Sequence, residues 1–211
     1  LRSDVTIIYN TPPSIYSDLK KTDDDRNKFK IFYGGMIFYD RGITNLLRLV
    51  RDMPDVSFEI AGKGTPDTVK LVEEAASNYT NLCYYGLIPY SKLQEFVSNS
   101  QLVYAFYDPN IRNNQFASPA KLFDSMLGST AVIMNKEIAP AKIVEEEKCG
   151  VLVPYDDYDS LKDAVSWLVE NRDYCIKMGN NGRKAYEAKY SWDIMEKRLL
   201  SLYQSLSKNS N

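Results

Sequence analysis

The stretch Ser118-Pro119-Ala120-Lys121-Leu122-Phe123-Asp124-Ser125-Met126 holds the residues best suited to chemistry. It reads as a helix start, with Ser118 as N-cap and Pro119 in the first helical position. Lys121 then falls in the third position, where Glu or Gln would close a capping box. A cation there faces the positive end of the helix dipole, a mismatch of about 0.3–1 kcal/mol. A phosphate lying on the free N–H groups of the first turn reverses the sign of that mismatch. Asp124 follows one turn later on the same face, where its carboxylate can accept bonds from a sugar hydroxyl. An anion cradle followed by a hydroxyl acceptor fits a nucleotide diphosphate. A surface lysine without a role fits the same residues.

The chain that must position them has 211 residues, enough for one α/β domain or one large half of a bigger protein. Its formal charge of −2 supplies no basic field, so nucleic acid is not an expected partner. A hydrophobic content of 44% is that of an ordinary globular domain. No apolar run is long enough for a membrane span and no signal peptide is visible. The sequence has no histidine, which excludes Ser-His and Cys-His pairs and any histidine base or metal ligand. A base must then be a carboxylate or lie on another polypeptide segment. Cys83, Cys149 and Cys175 share no metal-ligand spacing. They are expected to be packing residues in a reducing compartment. No metal and no resident cofactor are expected. The first residue is Leu, which predicts a processed or excised piece of a longer protein.

Strands and helices alternate along most of the sequence. Residues 1–27 open with the β-branched run Val5 to Asn10, turn at Asn10-Thr11-Pro12-Pro13, and become polar after Ile15. They read as an interdomain linker and loop. Lys28 to Tyr33 is a predicted strand running into Gly34-Gly35, and Val56 to Ala61 another ending at Gly62-Lys63-Gly64. Leu82–Tyr85, Leu102–Phe106, Ala131–Met134 and Val151–Val153 read as further strands. Helical spacing marks Ile43-Leu46-Leu47-Val50, Val69-Val72-Ala76-Tyr79, Tyr90–Ser98, the stretch from Ser118, and Leu161-Ala164-Val165-Leu168. Two more helices are expected over Cys175–Ala188 and Asp193–Leu206. The pattern predicts an α/β fold, a Rossmann-like parallel sheet with helices on both faces. Ligands in such sheets bind beyond the carboxyl ends of the strands. Gly34-Gly35, Gly62-Lys63-Gly64, Gly86-Leu87-Ile88 and the loop before Ser118 are predicted to lie there. Each glycine alone is equally a turn residue. No G-x-G-x-x-G and no P-loop motif occurs.

In this order the motifs resemble the C-terminal, nucleotide-sugar-binding half of a retaining GT-B glycosyltransferase of family four. Ile31 to Ile43 is similar to the family's glycine-rich first strand and the basic residue and glycine that start its helix. Phe58-Glu59-Ile60-Ala61-Gly62-Lys63-Gly64 resembles its AGxG turn. Asn81 to Pro89 resembles the strand and turn that hold the base. Ser118 to Met126, through Gly128 to Val132-Ile133, resembles SPxKLFEYMAxGxPVI, and Gly150 to Val153 its GxLV strand. The resemblance spans nearly all of residues 5–205. Transferases that build bacterial surface polysaccharides are the nearest subgroup.

The resemblance implies that Asp124 binds ribose hydroxyls and that the backbone of Ala117 to Lys121, including Ser118, holds the diphosphate. It implies that Arg41, with Lys121, stabilises the departing phosphate, and that the backbone near Leu87 and Ile88 bonds the base. Gly34, Gly35 and Lys63 would line the donor site. The family's paired carboxylates fall on Phe116 and Asp124. The first is therefore replaced by Phe, and the Arg that often follows the first glycine is replaced by Gly35 or Met36. The implied substrate is a nucleotide sugar, with UDP as the expected carrier and polysaccharide biosynthesis as the process. The implied partners are an N-terminal acceptor-binding domain, which would bring a histidine, and a glycan or lipid-linked acceptor. The implied location is cytoplasmic, or peripheral at the inner face of the membrane. Residues 28–190 would form the nucleotide-sugar-binding domain and 191–211 a helix returning toward the N-terminal half. Three alternatives stay open. One, within the class, is an inverting GT-B enzyme, which shares the sheet. The second is a non-catalytic nucleotide-sugar-binding partner of an active transferase, and the third a sugar-nucleotide epimerase.

Overall fold

Six strands pair in parallel in the order β3-β2-β1-β4-β5-β6 in a computed structural model that describes residues 5–16 and 28–208. They are β1 (Phe29–Ile37), β2 (Val56–Gly64), β3 (Leu82–Tyr84), β4 (Leu102–Ala105), β5 (Ala131–Asn135) and β6 (Gly150–Val153). The helices are α1 (Ile43–Asp52), α2 (Pro66–Asn78), α3 (Tyr90–Ser98), α4 (Arg112–Gln115), α5 (Ala120–Leu127), α6 (Ala141–Glu147), α7 (Tyr158–Glu170), α8 (Arg172–Ala185) and α9 (Trp192–Lys208).

The strands are apolar on both faces, as a sheet covered twice requires. Phe29, Ile31 and Tyr33 of β1 join Leu102 and Tyr104 of β4 in a core with Leu46 and Val50 of α1 and Leu161, Val165 and Leu168 of α7. The residues between them point the other way. Phe32 and Val103 pack with Val97 of α3, while Ala105, Val132 and Met134 pack with Leu122, Phe123 and Met126 of α5. Each large buried side chain contributes on the order of 1.5–3 kcal/mol. The chain order reverses between β1 and β4, so a crevice opens beyond their carboxyl ends.

The first two strands do not stop at their glycines. β1 and β2 stay paired through Gly34↔Ala61 and Gly35↔Gly62 to Ile37↔Gly64. The glycines allow this because the backbones close together. A Cβ on Gly62, whose φ is 144°, would lie 1.7 Å from the Gly35 carbonyl oxygen. Gly62→Ala is therefore expected to lower the unfolding free energy by more than about 2 kcal/mol. Urea denaturation of the two proteins reads this directly, and a difference within about 0.5 kcal/mol would show that the strands part freely.

Three further expectations change. α4 and α6 lie where no helix was expected. Cys83 is exposed rather than packed, while Cys149 and Cys175 are buried. The eighth helix ends at Ala185 and runs into a π turn over Tyr186–Tyr190.

Of the expected linker, residues 1–4 and 17–27 lie outside the described residues. Residues 5–16 run along the domain. Tyr9 packs on Phe123 and Tyr190, and the Tyr186 hydroxyl donates to the Pro12 carbonyl at 2.6 Å. The buried Met195 of α9 lies beside Tyr9, while Leu200, Tyr203 and Leu206 farther along α9 are exposed.

Candidate functional site

β1 ends in Ile37, and a single 3₁₀ turn, Tyr39–Arg41, then swings Arg41 over the crevice. The Arg41 Nη1 donates to Asp40 Oδ2 at 2.9 Å and to Asn114 Oδ1 at 2.7 Å. Asn114, buried on α4, also donates to Asp40 Oδ2 and to the Asp108 carbonyl. The guanidinium carbon stands 4.4 Å from the centre of the Tyr107 ring, beyond β4. A cation over an aromatic face gains from the ring's quadrupole. These contacts fix both the position and the plane of Arg41.

Lys121 reaches the same ring from α5. Its Nζ lies 5.3 Å from the centre of Tyr107 and 4.6 Å from that of Tyr33, the last large residue before Gly34. Gly35 leaves it room, since a Cβ there would stand 3.6 Å from the Lys121 Nζ. Only 9% of Lys121 is exposed, and its ammonium has no acceptor among the described residues. Burial, with the Arg41 charge second, holds its pKa down at about 8. Two cations thus converge on one ring at the crevice, and the Asp40 carboxylate is paired with only one of them.

The start of α5 differs from the sequence expectation. Ser118 is exposed and does not cap the helix. Pro119 takes the capping place with φ −70° and ψ 119°, so Ala120 is the first helical residue and Lys121 the second. Pro119 keeps an extended ψ, and the Leu122 N–H closes a tight turn on its carbonyl at 3.1 Å. The Ala117 N–H is already spent on the Asn114 carbonyl at 3.1 Å. The N–H groups of Ala120 and Lys121 have no backbone acceptor among the described residues, as the first turn of a helix requires. Ala117 and Ser118 instead border a cavity of about 310 Å³ lined by Tyr9, Phe116, Phe123 and Tyr190.

Asp124 sits one turn beyond Lys121 and is 5% exposed. The Tyr90 hydroxyl and Gln94 Nε2 both donate to its Oδ1, at 2.5 and 2.6 Å. Burial pushes its pKa up to about 6, against the opposing pull of those two bonds and of Lys121. Tyr90 opens α3 directly after the turn Gly86–Pro89. There Leu87 is 75% exposed and Ile88 packs on the cluster of Phe32 and Val103.

The structure thus gathers Arg41 and Lys121 around Tyr107, with Gly35 against the Lys121 side chain and Asp124 one turn beyond Lys121. Gly34 is buried behind Gly35. Lys63 stands exposed at the end of β2, across the sheet from Met36 and without a partner among the described residues. Sequence reasoning missed Tyr33, Asp40, Tyr90, Gln94, Tyr107 and Asn114. Only Tyr90 and Gln94 carried a local signal, since their i, i+4 spacing puts both on one face of α3. Among the described residues no three His, Cys, Asp or Glu side chains are grouped so as to hold a metal ion. None of the described helices is long and apolar enough to cross a membrane.

Residues 16–185 match the family Glycosyl transferases group 1. The alpha-maltose-1-phosphate synthase of Mycolicibacterium smegmatis is 26% identical over 97% of this chain and 55% of its own length. The chain spans about half the length of the curated relatives it matches. Among solved structures, the Anabaena Alr3699/HepE protein in complex with UDP-glucose superposes with a TM-score of 0.76 at 16% identity, over 96% of this chain and 57% of that one. The C-terminal domain of the Francisella tularensis group 1 glycosyl transferase LpcC gives 0.67 at 16% identity, over 85% of this chain and 98% of that domain.

Proposed function

The chain belongs to the glycosyl transferases of group 1, and we propose that it is the donor-binding half of a retaining GT-B enzyme. The observation that carries this reading is the pair of cations, Arg41 and Lys121, meeting over Tyr107 at the switch point of the sheet. A diphosphate laid there would accept from Lys121, from Arg41 and from the N–H groups of Ala120 and Lys121. When the bond between the sugar's anomeric carbon and the phosphate oxygen breaks, the electron pair leaves on that oxygen. The added negative charge then falls between the two cations, which are held in place before the reaction. Oδ2 of Asp124 faces the ribose hydroxyls, and the exposed turn at Leu87 and Ile88 offers its backbone to the base. UDP is the proposed carrier, in keeping with the UDP-glucose held by the Anabaena protein.

An N-terminal domain supplies the acceptor site in this reading, and a glycan or lipid-linked acceptor in polysaccharide biosynthesis is the proposed substrate. Location in the cytoplasm or at the inner face of the membrane belongs to the same proposal. The carboxylates of the cluster are already engaged, Asp40 with Arg41 and Asn114, and Asp124 with Tyr90 and Gln94, so in this reading the base lies on another segment. The purified chain is therefore expected to bind UDP and UDP-sugars yet transfer no radiolabelled sugar to lipid-linked acceptors. Robust transfer by the chain alone would place the acceptor site and base within these residues and overturn the division of labour. A second reading, a non-catalytic partner that only binds the nucleotide sugar, draws on Phe116. It is 74% exposed at the position of a family carboxylate. Binding without turnover after an N-terminal half is restored would favour it.

A further inference from the structure

Among the described residues, Asp124 is anchored on one side only. Its Oδ1 receives the Tyr90 hydroxyl at 2.5 Å and Gln94 Nε2 at 2.6 Å, and Gln94 Nε2 also lies 2.8 Å from the Tyr90 oxygen. A carboxylate oxygen that accepts two bonds has no capacity left, so Oδ2 alone remains open. Gln94 is wholly buried, and its Oε1 has no partner among the described residues. A buried amide oxygen without a donor is unfavourable, so packing alone would favour an apolar residue at this place. The bond to Asp124 is what Gln94 provides. Tyr90 is 39% exposed, and its ring is held edge-on by Tyr16 at 5.1 Å.

We propose that Tyr90 and Gln94 are the positioning residues that set selectivity for a ribose diol. By filling Oδ1 of Asp124 they fix the carboxylate and leave Oδ2 as its one acceptor for the nucleotide's hydroxyls. Because Tyr90 directly follows the turn at Leu87 and Ile88, the same short segment presents the base contacts and steers the ribose contact. The inference rests on the donor-binding reading and goes beyond it by naming what gives Asp124 its direction.

Calorimetric titration of the chain with UDP, 2′-deoxy-UDP and 3′-deoxy-UDP tests it, using the wild type, Tyr90→Phe and Gln94→Met. Wild type is expected to prefer UDP over one or both deoxy forms by about tenfold or more, the worth of one good hydrogen bond. Both variants are expected to bring that preference to within about threefold and to melt a few degrees lower, since each loses a bond to a buried carboxylate, while affinity for the deoxy forms stays close to wild type. A role in packing alone would weaken all three ligands together and leave the preference intact. That result, or an unchanged preference in a folded variant, overturns the inference. Wild-type binding of UDP without any preference overturns it while leaving the donor-binding reading in place. No binding of any of the three nucleotides by wild type overturns both.

Discussion

Lys121→Met is expected to weaken UDP binding by about a hundredfold or more and to leave uridine within about threefold. Removing one partner of a buried charge pair typically costs about 2–5 kcal/mol. The nucleoside lacks the anion, so it should not feel the loss. Lys121 has no acceptor of its own among the described residues, stands on two aromatic rings, and shares Tyr107 with Arg41. Burial and then the Arg41 charge lower its pKa to about 8. A bound diphosphate pulls it back up, so binding is coupled to proton uptake. UDP affinity should decline as pH rises from about 8 toward 10, and calorimetry in two buffers at pH 8 should show about half a proton taken up per site. The variant should lose this uptake. Equal losses for uridine and UDP, or uptake that survives the substitution, would sink the assignment.

The second large effect has two opposite signs. Asp124→Asn is expected to lower UDP affinity by about 1.5–3 kcal/mol, the range for a hydrogen bond to a charged group. The same change should make the empty protein more stable at neutral pH. Burial raises the folded pKa of Asp124 to about 6, above the unfolded value of 3.8. Between those values the folded chain holds a proton that the unfolded chain has lost, so this group's contribution falls as pH rises through the interval. Asn keeps an oxygen for Tyr90 and Gln94 and removes the buried charge, at the loss of a negative neighbour for Lys121. A net gain of about 1–2 kcal/mol at pH 7.5 is expected, shrinking toward zero near pH 4. Denaturation at both pH values, with UDP titrations alongside, measures the trade. A less stable variant at pH 7.5 would mean that the Lys121 attraction outweighs desolvation.

The parallel sheet was legible because its signals are local. Apolar runs end in glycines, and the helical stripes between them have the right period. α6 escaped notice because its buried residues, Ala141, Ile143 and Val144, precede three glutamates and make no repeating stripe. The start of α5 was misplaced by one residue, since Ser-Pro reads as cap and first turn whichever way the proline ψ settles. Lys121 and Asp124 stood out in the sequence, but their burial did not. Burial comes from Tyr33, Tyr107, Tyr90 and Gln94, which arrive from three separate segments. The clasp of Asn114 on Arg41 joins α4 to the turn after β1, a contact between distant positions for which the sequence holds no marker.

The pairing of β1 with β4, Ile31 beside Leu102 and Phe32 beside Val103, brings together parts of the chain with two other strands and three helices between them. Contacts so far apart in sequence form late, because the intervening loop must be closed before they give anything back. The ring shared by Arg41 and Lys121 hangs on the end of β4, so the anion cradle comes into being only when that last seam of the sheet closes. A nucleotide bound as proposed would therefore meet nothing to hold in a half-folded chain. It would act as a latch on the finished fold, slowing its opening without guiding its assembly.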